Sequence, residues 1–196
     1  MLRVWLDRRT PRRISVALYP EPVRGDGDGW VISATGAHYW GRHGAAGLLL
    51  RALRPDGTAA VLLQHRAPWS HQGGTWALPG GARDSDETPE DAAVREAHEE
   101  AGLSREQVRV RGEVVTAVVG SADGGPPWSY TTVIADAPSL LETVPNRESS
   151  ELRWVAEDEV DDLPLHPGFA ASWQTLRAES AARPLSPPVP PPDGQR

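Results

Sequence analysis

Glu96, Glu99 and Glu100 stand at spacing i, i+3, i+4, which on a helix turns all three carboxylates to one face. Like charges so placed repel by roughly 0.2–0.5 kcal/mol per pair in an isolated helix, so a compensating cation is implied. Hard carboxylate oxygens suit Mg²⁺ or Mn²⁺, which commonly bridge one or two carboxylates to the phosphates of a substrate. Such cations neutralise phosphates and acidify water while a nearby carboxylate takes a proton, and no nucleophilic side chain is needed. Taken alone, the cluster reads more readily as a solvated acidic face. Its flanks weigh against that reading, because Gly80-Gly81 precede the helix, Glu87 sits at its mouth and Arg95 lies beside Glu96. The chain has no Cys, and all 20 of its basic residues are Arg. Thiol nucleophiles, disulfides, Cys-ligated zinc, Schiff-base chemistry and a P-loop lysine are thereby excluded.

The element that must carry these carboxylates is well punctuated. Thr88 suits the N-cap, Pro89 the first helical position, Glu90 and Asp91 the positive end of the dipole, and Gly102 the far end. Residues Trp69 to Asp86, rich in Gly, Ser, Asp and Pro, read as one long loop before it. Upstream, Gly47 to Leu53 and Ala59 to Gln64 form a hairpin about Asp56-Gly57, and Trp30–Ile32 and His38–Trp40 are short aromatic strands joined around Thr35-Gly36. Downstream, Val108 to Val119, Ser129 to Ala135 and Glu151 to Val155 read as strands and Gly168 to Ala182 as a closing helix. The expectation is an α/β fold, layered α/β/α with a mixed sheet.

At 196 residues and 21.2 kDa, with 39% apolar and 24% charged residues, one soluble domain is implied. We place it at residues 29–182, between a flexible basic arm, 1–28, and a Pro-rich disordered tail, 183–196. A net charge of −7 argues against binding nucleic-acid polymers through their backbones, while leaving small nucleotides held through metals. No apolar stretch is long enough to span a bilayer, and the basic start lacks a secretory signal's apolar core. A cytoplasmic protein without a membrane partner is expected.

Gly81, five residues, Glu87, seven residues, then Arg95-Glu96-Ala97-His98-Glu99-Glu100-Ala101-Gly102-Leu103 resembles the Nudix box, the signature of hydrolases acting on nucleoside diphosphates linked to another moiety. The match covers 23 residues and departs at Ala97, where the family usually has a larger aliphatic residue. The resemblance implies that Glu96, Glu99 and Glu100 bind the divalent metals, with the carbonyl of Gly80 as a further ligand. It also implies that Arg95 pairs with a box glutamate to fix the loop against the helix, and that Glu87 orients the helix or a water. Such enzymes often draw a further carboxylate from a loop preceding a Trp-bearing strand, and Asn146 to Val155 resembles that segment. Glu148 is the choice for extra ligand or base, with Glu151 in reserve.

Val61 to Arg66, Trp76 to Gly81 and Asp158 to His166 together resemble the MutT-type branch. That branch hydrolyses 8-oxo-dGTP to the monophosphate and pyrophosphate, sanitising the nucleotide pool. Arg66, Trp76, Gly81 and His166 are the candidate substrate contacts, although His166 stands near where the branch has an Asn reading the purine edge. Among eight Trp, Trp69, Trp76 and Trp128 are the candidates for base stacking, with Trp30, Trp40 and Trp154 assigned to strands. A Nudix pyrophosphatase acting on ADP-ribose, NADH or a dinucleoside polyphosphate is the alternative, and the Trp30–Trp40 hairpin leaves room for a strand-exchanged homodimer. A non-catalytic nucleotide sensor is the remaining reading, disfavoured because every charged box position is intact.

Overall fold

A computed structural model describes residues 25–185. Most of the basic arm and nearly all of the Pro-rich tail therefore lie outside the described residues. The arm's last residues are tied to the site loop: Gly27 N–H donates to Asp84 Oδ1 at 2.8 Å, and Ser85 N–H to Asp26 Oδ1 at 2.8 Å.

Two aromatic strands, β1 (Trp30–Ile32) and β2 (His38–Trp40), form a small antiparallel sheet of their own. The seven-stranded main sheet starts from a hairpin of β3 (Ala45–Leu53) and β4 (Ala59–Arg66). Its turn needs Gly57, at φ +83°, and Asp56 accepts from the Thr58 amide at 2.9 Å. Only Arg51–Leu53 and Ala59–Val61 pair directly, after which the two strands diverge. The exposed edges are filled from the segment read as a loop, a correction to that reading. There, β5 (Trp76–Ala77) pairs with β4 and β6 (Gly80–Ala82) with β3. Backbone groups left unpaired in a buried splay are costly, so even a Gly-rich segment with little strand propensity is drawn into pairing.

On its other side β3 pairs in parallel with β8 (Trp128–Asp136), which pairs antiparallel with β7 (Arg109–Val119), while β9 (Ser149–Ala156) pairs antiparallel with β4. The sheet is therefore mixed. Strand alternation divides its side chains between two helices. Leu48, Leu50, Leu62, Val133 and Ala135 face α1 (Pro89–Ala101), which meets them with Ala92, Ala93, Ala97 and Ala101. Leu49, Val61, Leu63 and Ile134 face α2 (Pro167–Ala181) through Phe169, Trp173 and Leu176. Ala97, the departure within the 23-residue match, is thus a fully packed position in an alanine stripe that lets α1 lie close to the sheet. Among the described residues no helix is long and apolar enough to cross a membrane.

Both ends of α1 are built as its sequence dictates. Thr88 Oγ1 accepts from the Asp91 amide at 3.1 Å, Asp91 closes a capping box, and Gly102 ends the helix at φ +71°.

Candidate active site

The divergence of β3 and β4 brings Gly80 and Gly81 of β6 over the last two turns of α1. Gly80 donates its N–H to Glu100 Oε2 at 2.8 Å. A side chain at Gly80 would collide with the backbone of Ala46 and Gly47, and one at Gly81 with the carboxylate of Glu96. Gly80 is therefore required by the close approach of β6 to β3, whereas a methyl at Gly81 would displace only the end of the Glu96 side chain.

Arg95 locks loop and helix together. Its guanidinium donates through Nε to Glu87 Oε1 at 2.6 Å and through Nη2 to Glu87 Oε2 at 3.0 Å, a bidentate pair. It also reaches the carbonyl of Ala82 at 2.9 Å and Glu96 Oε1 at 2.9 Å, with Glu99 at 3.6 Å. Glu87 in turn accepts from the Asp84 amide at 3.0 Å. The Arg95 hydrogen bonds hold the Glu87 carboxyl below the usual range, and Glu87 raises Arg95 correspondingly. Glu87 is thus engaged in fixing loop to helix.

The other carboxylates behave oppositely. Burial pushes the Glu96 carboxyl up to about 7 against the pull of Arg95, with Glu99 and Glu148 adding to the rise. Burial and then Glu96 push Glu100 to about 8, and Glu148 again contributes. Four carboxylates with one guanidinium among them leave excess negative charge in a partly desolvated place, a donor set whose chemistry fits a hard divalent cation. The set is not a finished cage, since among the described residues no three metal-ligating groups converge tightly enough to form one. Glu96 is turned to Arg95 and Glu100 to Gly80, so binding a cation means exchanging those partners.

Sheet alternation separates the two outer candidates. Leu152 and Trp154 on β9 pack towards α1, so the intervening Arg153 and its neighbour Glu151 face away. Glu151 is exposed and paired with Arg153 at 3.4 Å. Glu148 lies just before β9, with its amide bound to Asn146 Oδ1 at 2.8 Å, and its charge is felt by both Glu96 and Glu100.

The substrate candidates are less concentrated. Gly81 is at the site. Arg66 is half-buried, with Nε donating to the carbonyl of His71 at 3.0 Å. Trp76 is a core residue, stacked on His65 at 4.8 Å with the Arg153 guanidinium 4.3 Å above its ring. Its place on the α2 face withdraws it from the carboxylates. His166 caps α2, its Nδ1 accepting from the Gly168 amide at 3.1 Å. Burial first, then Arg66 and His71, lower its pKa to about 4, consistent with a neutral acceptor. Trp128 is buried with its indole N–H on the Trp40 carbonyl at 3.1 Å. Trp69 is open, and so are Trp30 and Trp40. Trp30 lies 5.9 Å from the His71 ring.

Sequence reading missed Gln64, Asn146 and Ser149. Gln64 is fully buried on β4, its Nε2 donating to Ser149 Oγ at 2.8 Å. A lone polar residue in the apolar run Val61 to Gln64 was the available signal.

The NUDIX domain model matches residues 41–177 of this chain. A Mycobacterium tuberculosis protein named "Putative 8-oxo-dGTP diphosphatase 3" is 73% identical over 168 residues, which is 86% of this chain and 77% of that protein. The crystal structure of a Nudix hydrolase from M. smegmatis, RenU, superimposes with a TM-score of 0.79 at 72% identity, covering 82% of this chain and 99% of that one. A C. elegans Ap4A hydrolase complex, at 22% identity and a TM-score of 0.55, covers 70% of this chain and 97% of its own and shares the fold alone.

Proposed function

This chain belongs to the NUDIX family of hydrolases, and on that premise we propose that it hydrolyses a nucleoside triphosphate to the monophosphate and pyrophosphate, with 8-oxo-dGTP the favoured substrate. The observation that carries the substrate is the 73% identity to a protein named for that activity, across most of both chains. The domain that does this spans residues 29–182, as read from the sequence.

Hydrolases of this family generally need divalent metal ions, and Mg²⁺ or Mn²⁺ held here would neutralise the triphosphate and make water more acidic. Glu96, Glu99, Glu100 and the Gly80 carbonyl are the proposed binding groups, with Glu148 reaching in from the opposite loop. Arg95 and Glu87 keep β6 and the loop after it against the helix, so that only the partners of Glu96 and Glu100 need exchange for these oxygens to meet a cation. Water adds at a phosphorus flanking the α–β bridging oxygen, the bond from that phosphorus to the bridging oxygen breaks, and the monophosphate and pyrophosphate separate. The proton released from water goes to a carboxylate, for which Glu148 is better placed than Glu151.

Trp76, being core, is set aside as a reader of the base, while His166, which caps α2 through Nδ1, stays a candidate beside His71 and Arg66. The open rings of Trp30 and His71, beside Arg66, are the replacement we assign to that role.

Initial rates with Mg²⁺ on 8-oxo-dGTP, dGTP, 8-oxo-dGDP, ADP-ribose and NADH, with phosphate and pyrophosphate separated, test the proposal. It predicts 8-oxo-dGTP as the best substrate and pyrophosphate as product. A preference for ADP-ribose or NADH would overturn it.

A further inference from the structure

The turn that carries Glu148 is fastened from two directions. From the backbone of the carboxylate helix, the Asn146 amide donates to the carbonyl of Glu100 at 3.3 Å, and Asn146 Oδ1 accepts from the Glu148 amide at 2.8 Å. From the sheet, Gln64 Nε2 on β4 donates to Ser149 Oγ at 2.8 Å, immediately after Glu148 in the chain. Ser149 Oγ is also 3.5 Å from Asn146 Oδ1, and the Ser149 amide binds the Asn146 carbonyl at 3.2 Å. Gln64 is 0% exposed, and its Oε1 is a buried acceptor with no hydrogen-bond partner among the described residues. An apolar residue would fill this place on β4 without that cost, as Leu62 does two residues earlier on the same face. The polar bridge is therefore better explained by what it holds than by packing.

We infer that Gln64 is a positioning residue, bridging β4 to Ser149 and so setting Glu148 opposite the helix carboxylates. The inference rests on the reading of Glu148 and Glu100 as members of one cation-binding set. It adds that the separation of the two is fixed by β4, the strand between them, and not by the exposed loop.

The test is a double-mutant cycle on the full-length protein with two readouts, Mn²⁺ affinity without nucleotide and steady-state kinetics. Gln64→Met keeps the volume and removes the bridge; Ser149→Ala removes the same bridge from the other side if the core variant folds poorly. Each is expected to weaken Mn²⁺ binding and lower kcat about tenfold with KM little changed. Combined with Glu148→Gln, Gln64→Met should cost less than about twofold more, because the residue it positions is already disabled, and Gln64→Glu should recover part of the kcat. Full additivity with Glu148→Gln, or unchanged Mn²⁺ affinity in both bridge variants, would overturn the inference. If Glu148→Gln itself is fully active, the underlying reading of Glu148 fails instead, which is a separate result.

Discussion

Gly80 and Gly81 of β6 and the desolvated carboxyls of Glu96 and Glu100 beneath them respond to different forces. A methyl at Gly81 would meet only the end of the Glu96 side chain, which can swing aside, whereas one at Gly80 would meet the backbone of β3, which cannot. Gly81→Ala should therefore fold normally and lose activity through a displaced Glu96. Gly80→Ala should lose stability by several degrees in Tm as β6 is pushed off the sheet, and comparing Tm with kcat for the two variants checks this. The glutamates carry a pH signature. Glu96 and Glu100 have folded-state values raised to about 7 and about 8, so the folded protein holds protons that the unfolded chain has released above about pH 4.5. Stability of the metal-free protein then falls as pH rises from about 5 to about 8, and Mg²⁺ held by the ionised carboxylates, as proposed, should restore it. Melting in EDTA at pH 5 and pH 8, with and without added Mg²⁺, measures this; a flat or rising Tm would contradict it. The spacing of the glutamates was plain in the sequence. Their unequal burial was not, because it depends on how β6 covers Glu100 at Gly80 and leaves Glu99 in solvent.

At the scale of elements, α1 was the most legible part of the chain, since its cap, its first-turn acids and its terminal glycine are all local signals. The strands β5 and β6 were hidden because they arise from the divergence of a hairpin, a tertiary event that leaves no periodicity in their own residues. Trp76 was misjudged for the same reason: an aromatic in an apparent loop suggests a ligand, but pairing with β4 puts the ring into the core behind the sheet. Arg95 couples loop to helix through one planar guanidinium that serves Glu87, Ala82 and Glu96 together. Lysine cannot reproduce that fork, so Arg95→Lys should lower kcat at least tenfold while α1 remains helical by circular dichroism. Activity close to wild type would show that the charge alone suffices.

Across the whole molecule, the layered α/β/α arrangement was readable from the order of elements, whereas the device that fastens its last layer was not. Arg51, on the central strand, is 2% exposed and donates to Asp136 at 2.6 and 3.0 Å, to the Ser180 carbonyl at 2.6 Å and to the Arg183 carbonyl at 2.8 Å. It thus ties the end of α2 to the middle of the sheet, on the face opposite the carboxylates. Asp136→Ala leaves this guanidinium buried without its counter-charge, a loss of about 3–5 kcal/mol. Chemical denaturation should show that loss, with kcat preserved well below the melting temperature because the clamp and the site lie on different faces.

If the carboxylates of α1 carry the hydrolysis, Glu99 is the one to change, because it is the most exposed of the three and the least involved in packing. Glu99→Gln removes one negative charge with almost no change in volume. Turnover of 8-oxo-dGTP with Mg²⁺ should fall by three orders of magnitude or more, on the order of 4 kcal/mol in transition-state stabilisation, with an unchanged circular dichroism spectrum and Tm. Near-normal turnover by a correctly folded Glu99→Gln would contradict the account.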